Sequence, residues 1–359
     1  MPGYHAYDQM LQYQTYDITD MLISGENTVG AIVGNGWYKG RFFPEGGYEN
    51  IYGDRMSFLC EIRITDRNGN VTVIGTDETW KSAASPIISG NIYDGEVYDA
   101  SMEQKGWSTS EFDDSNWNGV QLSDEGYERL VARCNPPIHI VEERSPVEVI
   151  TTPKGEIVLD FGQNITGWVK FHVEQEAGQE VKLSYGEILQ DGCFYRDNLR
   201  TAKAEYTYIS DGNEEEMRPK FTFYGFRYVK VEGIETVNPE DFVACVVTSD
   251  LEQTGWIETS NPDVNQLFSN AYWAQKDNFL DIPTDCPQRD ERMGWTGDAA
   301  IFSSTACQNM DTAAFYRHFM KNLALEQAYN ENGAVPLFVP VPKPEGATHP
   351  YLNMKGEGI

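Results

Sequence analysis

The hydrophobic pattern of this 359-residue chain changes its period near residue 250. Before that point, short runs alternate apolar and polar residues, as in Glu61–Thr76, where two runs flank Asn68 and Gly69 in a hairpin pattern. After about residue 255, apolar residues follow helical spacing, and Asn261 and Pro262 form a helix-start signal. The change predicts a multidomain, mostly β chain that ends in an all-α segment.

The β half divides into two predicted domains. Short strands separated by regular turn signals are typical of β-sandwich and jelly-roll domains, and Glu156–Glu174 alternates on both sides of a Gly/Asn turn. A segment without a strand pattern, which contains Pro136 and Pro137, separates the two. We therefore predict an N-terminal β-sandwich domain that is incomplete at its start (1–120), a linker (121–146) and a middle β-sandwich domain (147–250).

The charge of the chain excludes several kinds of partner. A net charge of −29 argues against nucleic acid, because phosphate binding needs a basic face, and against acidic membrane surfaces. No apolar stretch is long enough to span a membrane. The first residues show no signal-peptide pattern, which favours the cytoplasm if the chain starts at its natural N-terminus. A neutral substrate is compatible with this charge, and the oligomeric state is left open.

The cysteine and histidine spacings indicate no metal site. Six cysteines are widely spaced without a CxxC pair, and five histidines form neither an HxH nor an HxxxH pair. These spacings do not fit a disulfide scaffold or a zinc ribbon. We therefore predict that the chain needs no metal and no cofactor.

One loop between predicted helices is rich in chemistry. The stretch DCPQRDERMGWTGD, Asp285 to Asp298, holds four acids, two arginines and one tryptophan, and Pro287 prevents a helix there. Crowded carboxylates raise the pKa of at least one of them, and a tryptophan ring can stack on a sugar. Glycoside hydrolysis needs one protonated acid and a second carboxylate. A solvated loop with ordinary ion pairs and a calcium site remain alternatives, although no Dx[DN]xDG pattern occurs.

This stretch closely resembles the signature of bacterial α-L-rhamnosidases, glycoside hydrolase family 78. Upstream segments resemble the family as well, among them YQTYDITDMLISGENTVGAIVGNGWYKGRF in the first domain and VLDFGQNITGWVKFHV and PKFTFYGFRYVKVEG in the middle domain. The resemblance implies an (α/α)6 barrel as the catalytic domain and inverting hydrolysis of terminal α-L-rhamnosyl groups from a rhamnoside or a rhamnose-containing polysaccharide.

The resemblance also implies roles for individual residues of the motif. Glu291 corresponds to the general acid that protonates the leaving oxygen. Asp285, Arg289 and Asp298 correspond to contacts with rhamnose hydroxyls, and Trp295 to a wall of the sugar pocket. These five residues are our candidate site, as predicted from the family pattern.

The helical segment is shorter than the family's catalytic domain. Twelve helices with their loops need on the order of 190 residues, whereas only residues 251–359 follow the β domains. We therefore expect a truncated barrel. The family's general base, a glutamate in later helices, is expected to be absent from this chain, which makes an inactive fragment the expectation for these residues alone.

A non-catalytic carbohydrate-binding module is the alternative function. It rests on the aromatic residues of the β half, which could bind sugars by stacking or could simply fill the cores of the sandwiches. The residues concerned are Trp37, Tyr38, Trp107, Trp117 and Trp168.

Overall fold

The computed structural model describes residues 3–43, 47–330 and 333–343. The chain is mostly β, as predicted, and no helix in the described part is long and apolar enough to cross a membrane. The last part of the predicted helical segment, residues 344–359, lies outside the described residues. The strands are β1 Leu11–Tyr13, β2 Glu61–Thr65, β3 Val71–Gly75, β4 Lys81–Ser82, β5 Ile87–Asn91, β6 Gly95–Asp99, β7 Asn118–Gly119, β8 Leu130–Ala132, β9 Ile138–Arg144, β10 Glu148–Thr151, β11 Ile157–Val173, β12 Glu180–Gly186, β13 Ile188–Gln190, β14 Cys193–Tyr195, β15 Glu205–Ile209, β16 Glu215–Met217, β17 Tyr224–Glu232, β18 Phe242–Ser249, β19 Phe279–Leu280, β20 Ile282–Pro283, β21 Gly294–Trp295 and β22 Phe338–Val339.

Four α-helices occur in the described residues, and three of them follow the last long strand. The helices are α1 Gly36–Lys39, α2 Pro262–Asn278, α3 Thr296–Asn309 and α4 Ala313–Tyr329. Short 3-10 turns occupy Thr19–Met21, Ala100–Met102, Asp197–Leu199 and Pro239–Asp241.

A ten-stranded sheet forms the centre of the molecule. Its order is β5-β6-β15-β12-β17-β11-β18-β9, with β10 and β16 also paired to β11. The pairing is antiparallel except between β6 and β15. Aromatic and β-branched side chains on its strands form the largest core, which includes the stacked pair Tyr185 and Tyr224 with ring centroids 3.8 Å apart. Such side chains pack well on a pleated surface. The strands β10 to β18 confirm that residues 147–250 are mainly β.

The predicted turn within Glu156–Glu174 is wrong. The segment is one 17-residue strand, β11, whose register with β17 shifts between Asp160 and Ile165. Gly162 has φ +75°, and its N–H donates to Asp160 Oδ1 at 2.7 Å, so the Gly/Asn residues form a bulge instead of a reversal. Strands on both sides of β11 hold it extended, a tertiary effect that turn composition does not report.

The strand-free character assigned to the linker is also wrong. Residues 138–144 form β9, which pairs with β18 at the edge of the central sheet. Pro136, Pro137 and Pro146 lie just outside this strand, where they interrupt no ladder hydrogen bond. Strands β5 and β6 of the predicted first domain join the same sheet. The domain limits of 120 and 147 stay a prediction.

The helix-start signal at Asn261 is confirmed. The Asn261 side chain accepts a hydrogen bond from Asp263 N at 2.9 Å, and Pro262 is the first residue of α2. Val264 and Leu267, two of the apolar residues at helical spacing after residue 255, are exposed. The hairpin predicted around Asn68 is confirmed as β2 and β3.

The loop between α2 and α3, residues 281–295, is called the motif loop from here on. It lies against the central sheet: a Cβ on Gly225 of β17 would be 2.7 Å from Pro287 Cγ and 2.9 Å from Gln288 Cβ. A second apolar cluster, which includes Tyr4, Met293 and Phe319, joins the N-terminal residues to the loop and to α4. The sheet, the N-terminus and the helices together fix the position of the loop.

Candidate active site

Arg292 anchors the motif loop from behind. Its side chain is fully buried, and its Nη1 donates to the carbonyl oxygens of Ile92 at 2.9 Å and Phe223 at 2.8 Å. Its Nε and Nη2 donate to the carbonyl oxygens of Arg289 and Gln288, both at 3.1 Å. A buried guanidinium that meets four backbone acceptors satisfies most of its donors. Arg292 therefore ties the loop to the residue that follows β5 and to the residue that precedes β17.

Asp290 forms a second buried anchor. Its side chain has no exposed area, and Oδ2 accepts hydrogen bonds from both the N–H (3.2 Å) and the hydroxyl of Thr201. Arg41 Nη1 lies 3.6 Å from the same oxygen, and Arg41 also pairs with Asp94 at 3.0 Å. The N-terminal region, the chain between β14 and β15 and the motif loop thus meet at one carboxylate.

Asp285 belongs to a different group of charges on the loop, in which it pairs with Arg289. Its Oδ1 accepts from Met293 N at 2.8 Å, and its Oδ2 lies 3.4 Å from Arg289 Nη2. Burial, and next the nearby charge of Glu291, raise the pKa of Asp285 to about 6, against the hydrogen bonds it accepts. This carboxyl therefore holds a proton up to mildly acidic pH, as the crowded sequence predicts for one acid of the group.

Glu291 is held between two arginines. Its Oε2 lies 2.8 Å from Arg200 Nη1 and 3.1 Å from Arg289 Nη2, and 16% of its side chain is exposed. The hydroxyl of Tyr93 donates to its backbone carbonyl at 2.8 Å, which fixes the residue's main chain. The carboxylate is thus fixed in place and open to solvent on one side.

Trp295 and Asp298 lie at the C-terminal end of the motif, in β21 and in the first turn of α3. Trp295 pairs with Phe338 across β21 and β22, and their ring centroids are 5.3 Å apart. Asp298 lies in the first turn of α3 and is exposed. Of the five predicted site residues, the structure joins Asp285, Arg289 and Glu291 by ion pairs. No ion pair in the described residues connects Asp298 to them.

The described residues contain one group that could hold a metal ion by distance alone. Ligand atoms of Asp285, Cys286 and Glu291 lie within 4.8 Å of one another. Arg289 and Arg200 already supply positive charge to the two carboxylates. Burial also raises the pKa of the Cys286 thiol, which opposes the thiolate that a metal needs. The arrangement therefore fits a cluster of acids that arginines, and not a metal, neutralise.

Several residues that support the site could not be found by sequence reasoning. Arg200 follows a 3-10 turn of the predicted middle domain, has φ +59° and contacts Glu291 across 91 positions of sequence. Arg41 and Tyr93 belong to the predicted first domain and contact the motif loop from there. A non-glycine residue in left-handed conformation is uncommon, but nothing in the local sequence of Arg200 indicates it.

Three of the five aromatic residues of the β half that suggested a binding module are engaged in packing. Trp37 stacks on Tyr4 with centroids 4.4 Å apart, and Trp117 contacts the Phe112 ring edge-on at 5.6 Å. The guanidinium of Arg218 lies over the Trp168 ring. These contacts give the rings a structural role.

Comparisons with known proteins place the chain in a broad class, the glycoside hydrolases. Three family models match in succession: the α-L-rhamnosidase N-terminal domain at residues 1–142, the bacterial α-L-rhamnosidase concanavalin-like domain at 150–248 and the bacterial α-L-rhamnosidase six-hairpin glycosidase domain at 252–354. The chain belongs to the bacterial α-L-rhamnosidase family.

Individual relatives agree with the family models. An α-L-rhamnosidase of Streptomyces avermitilis is 39% identical over 338 residues, which are 93% of this chain and 32% of that protein. One from Formosa agariphila is 38% identical over 351 residues, 94% of this chain and 37% of that protein. The chain therefore spans about a third of the length of the curated relatives it matches.

Solved structures give the same result for the fold. The native α-L-rhamnosidase from Aspergillus terreus superimposes with a TM-score of 0.90 at 40% identity and covers 94% of this chain, which spans 40% of that one. The Streptomyces avermitilis α-L-rhamnosidase complexed with L-rhamnose gives 0.87 at 36% identity, with 94% and 33% covered.

Proposed function

We propose that this chain provides the general-acid side of an α-L-rhamnosidase that releases terminal α-L-rhamnosyl groups from rhamnosides with inversion. The observation that carries the proposal is the cluster of Asp285, Arg289 and Glu291 on the open face of the motif loop. Two carboxyls and an arginine in contact suit a pocket for a hydroxylated ring. The family of the chain makes rhamnose the sugar to test.

Glu291 is the proposed general acid. Its carboxylate is open to solvent on one side, and it receives charge-assisted bonds from Arg200 and Arg289. A substrate that binds Arg289 through its hydroxyls would compete for one of these bonds and loosen the hold on the carboxylate. Arg289 and Asp285 are proposed to contact rhamnose hydroxyls, as are Asp298 and, through its ring, Trp295.

Asp285 is the competing acid within the same cluster. Its pKa is raised to about 6, chiefly by burial, so it is the carboxyl that can carry a proton near neutral pH. General acids work best when their pKa lies near the operating pH. The substitutions Glu291→Gln and Asp285→Asn therefore test which carboxyl donates the proton to the leaving oxygen.

The helices α2, α3 and α4 are proposed to be the first helices of an (α/α)6 barrel, with the domain limits given above. An inverting hydrolase needs a second carboxylate roughly 6.5–9.5 Å from the acid to activate water. The relatives are longer than the part that these 359 residues match. We propose that the base lies in that further part of the sequence. The chain alone should then give no turnover.

The test uses a chimaera in which these 359 residues replace the matched third of the Streptomyces avermitilis relative. We expect it to release rhamnose from 4-nitrophenyl and from methyl α-L-rhamnopyranoside, with the β-anomer seen first by proton NMR. The 359-residue chain should show no turnover above its own Glu291→Gln variant. A folded chimaera that leaves both rhamnosides intact, or releases the α-anomer first, would contradict the proposal.

Leaving-group dependence separates the two acids in the chimaera. Loss of the general acid should slow the methyl rhamnoside far more than the nitrophenyl one, because nitrophenolate leaves without a proton. We expect this unequal loss for Glu291→Gln and an equal loss on both substrates for Asp285→Asn. The reverse pattern would transfer the acid role to Asp285.

A further inference from the structure

A tight turn of the predicted middle domain, residues 199–202, lies against the motif loop. Ala202 N donates to the carbonyl oxygen of Leu199 at 3.2 Å, which closes the turn between its first and fourth residues. Its second residue, Arg200, has φ +59° and ψ −113°. These are the angles of a type II′ turn, in which the second residue is usually glycine because a side chain is crowded there. Arginine therefore occupies a position that favours glycine.

The stability of the fold does not account for an arginine at this position. Arg200 Nη1 lies 2.8 Å from Glu291 Oε2, and 43% of the Arg200 side chain is exposed. An ion pair as exposed as this one contributes little to stability. A non-glycine residue in such a backbone conformation is strained, and strain of this kind is found most often at functional sites. The contact with Glu291 therefore points to a role in the reaction.

The next residue of the turn holds the strained backbone in place. Thr201 donates through its N–H (3.2 Å) and its hydroxyl to Asp290 Oδ2, and its hydroxyl accepts a hydrogen bond from Arg41 Nη1 at 3.0 Å. Asp290 and Arg41 are both buried. Two consecutive residues of the turn thus contact two consecutive residues of the motif loop, Thr201 with Asp290 in the interior and Arg200 with Glu291 on the open face. The buried contact fixes the position from which Arg200 reaches the carboxylate.

The two arginines at Glu291 contact the same carboxylate oxygen but differ in their other partners. Arg289 Nη2 lies 3.1 Å from Glu291 Oε2 and also pairs with Asp285, within the group proposed to contact sugar hydroxyls. Arg200 pairs with no second carboxylate in the described part of the chain. When Arg289 exchanges its bond to Glu291 for a bond to the sugar, Arg200 is the arginine that still holds the Glu291 carboxyl.

We propose that Arg200 is a positioning residue for proton transfer by Glu291, supplied by the β region from outside the motif. The proposal rests on the proposed function, in which Glu291 is the general acid. As the proton passes to the leaving oxygen, the electron pair of the O–H bond stays on the Glu291 carboxylate. A guanidinium fixed beside that carboxylate stabilises the charge that develops there. Because this interaction strengthens in the transition state, its loss should lower kcat more than it raises KM.

The first part of the test is thermal unfolding of the 359-residue chain. Arg200→Gly places glycine in a conformation that suits it and removes only a partly exposed ion pair. We expect its melting temperature to stay unchanged or to rise by up to about 3 °C. Asp191→Gly is the matched control, because Asp191 is exposed and has φ +52° in the turn between β13 and β14. A fall of more than about 3 °C for Arg200→Gly alone would make Arg200 a structural anchor and overturn the proposal.

The second part measures turnover in the chimaera, where Asp191→Gly should keep the parent rate. Arg200→Gly should lower kcat for methyl α-L-rhamnopyranoside by about 10–100-fold, a part of what general acid catalysis contributes, and change KM less than about threefold. The loss on the 4-nitrophenyl rhamnoside should be smaller, because nitrophenolate leaves without a proton. Guanidinium chloride, well below denaturing concentrations, should restore part of the rate of Arg200→Gly, whereas sodium chloride should not. Arg200→Lys keeps the charge and should lose less activity than Arg200→Gly.

The decisive comparison combines Arg200→Gly with Glu291→Gln in the chimaera. If Arg200 acts through Glu291, the double variant should be no slower on the methyl rhamnoside than Glu291→Gln alone. In an active chimaera, three results would overturn the role of Arg200 and leave the proposed function standing. They are a parent rate in Arg200→Gly, a raised KM with unchanged kcat, and an equal further loss in the Glu291→Gln background. A folded chimaera without turnover would contradict the proposed function, and the role of Arg200 with it.

Discussion

The two faces of the motif loop carry the same residue types in opposite environments. On the buried face, Asp290 and Arg292 have no exposed area and contact the N-terminal region and connecting segments next to strands of the central sheet. On the open face, Glu291 is 16% and Arg289 is 32% exposed, and they contact each other at 3.1 Å. Neighbouring positions in one short sequence thus alternate between the two faces.

This difference in burial separates the residues that anchor the loop from the residues that can act on a substrate. A charged group without exposed area cannot be reached by a substrate, so its role is to hold the loop. A charged group that is partly exposed and paired with other charges can exchange partners with a ligand. We therefore expect substitutions on the buried face to lower stability and substitutions on the open face to lower activity.

The largest expected effect is on the buried face. Arg292→Gln removes donors from the carbonyls of Ile92 and Phe223 and should destabilise the chain by about 3–5 kcal/mol, the usual range for breaking a buried charged network. Denaturant unfolding of the 359-residue chain measures this. Arg289→Gln is the control on the open face and should cost less than about 1 kcal/mol. Equal losses from both would remove the distinction between the faces.

The next largest effect is on turnover. Glu291→Gln in the chimaera should lower kcat for methyl α-L-rhamnopyranoside by about 10²–10⁴-fold, the usual contribution of general acid catalysis. The change is isosteric and on the open face, so the melting temperature should stay within about 2 °C of the parent value. An unchanged rate on this poor leaving group would remove Glu291 from the acid role.

The distinction between the faces could be predicted only in part from the sequence. The clustering of acids, arginines and Trp295 indicated a sugar site, and its composition predicted one carboxyl of raised pKa, which is Asp285. Which charge is buried was not predictable, because burial of Asp290 depends on Arg41 and Thr201, which are distant in sequence. The chemistry of the motif can be recognised from its own residues, whereas the residues that anchor it are distant in sequence.

The fold, like the site, could be predicted from the sequence only where local contacts decide the structure. The start of α2 was predictable because Asn261 caps the helix with its own side chain, which is a local interaction. The bulge in β11 was misread as a turn because Gly162 and Asn164 have turn composition, while pairing with β17 and β18 decides the conformation. Long-range pairing therefore determines the path of β11, which the composition of the segment does not report.

A smaller effect concerns the pH dependence of stability. Because the pKa of Asp285 is raised to about 6 from an ordinary 3.8, its protonated form stabilises the fold fully below about pH 4, and this contribution is lost as pH rises through 6. Asp285→Asn should therefore be more favourable, relative to the parent chain, at pH 7 than at pH 4, by on the order of 2 kcal/mol. Urea unfolding at both pH values measures the difference. A constant difference would mean that Asp285 titrates normally.

The smallest expected effect concerns Trp295. Trp295→Ala should weaken binding of methyl α-L-rhamnopyranoside about tenfold, as expected for loss of one stacking contact worth roughly 1.4 kcal/mol. Its contact with Phe338 gives the ring a share in packing, so the melting curve must be recorded beside the titration. A large fall in melting temperature with unchanged rhamnoside affinity would place Trp295 with the anchors.

The most direct test of the two-face account compares two adjacent isosteric substitutions, Asp290→Asn and Glu291→Gln, by thermal unfolding of the 359-residue chain. Asp290→Asn weakens buried bonds to Thr201 and Arg41, so we expect its melting temperature to fall by at least about 5 °C. Glu291→Gln should lower it by less than about 2 °C. Equal falls, or a larger fall for Glu291→Gln, would contradict the division of the motif into a buried anchor and an open catalytic face.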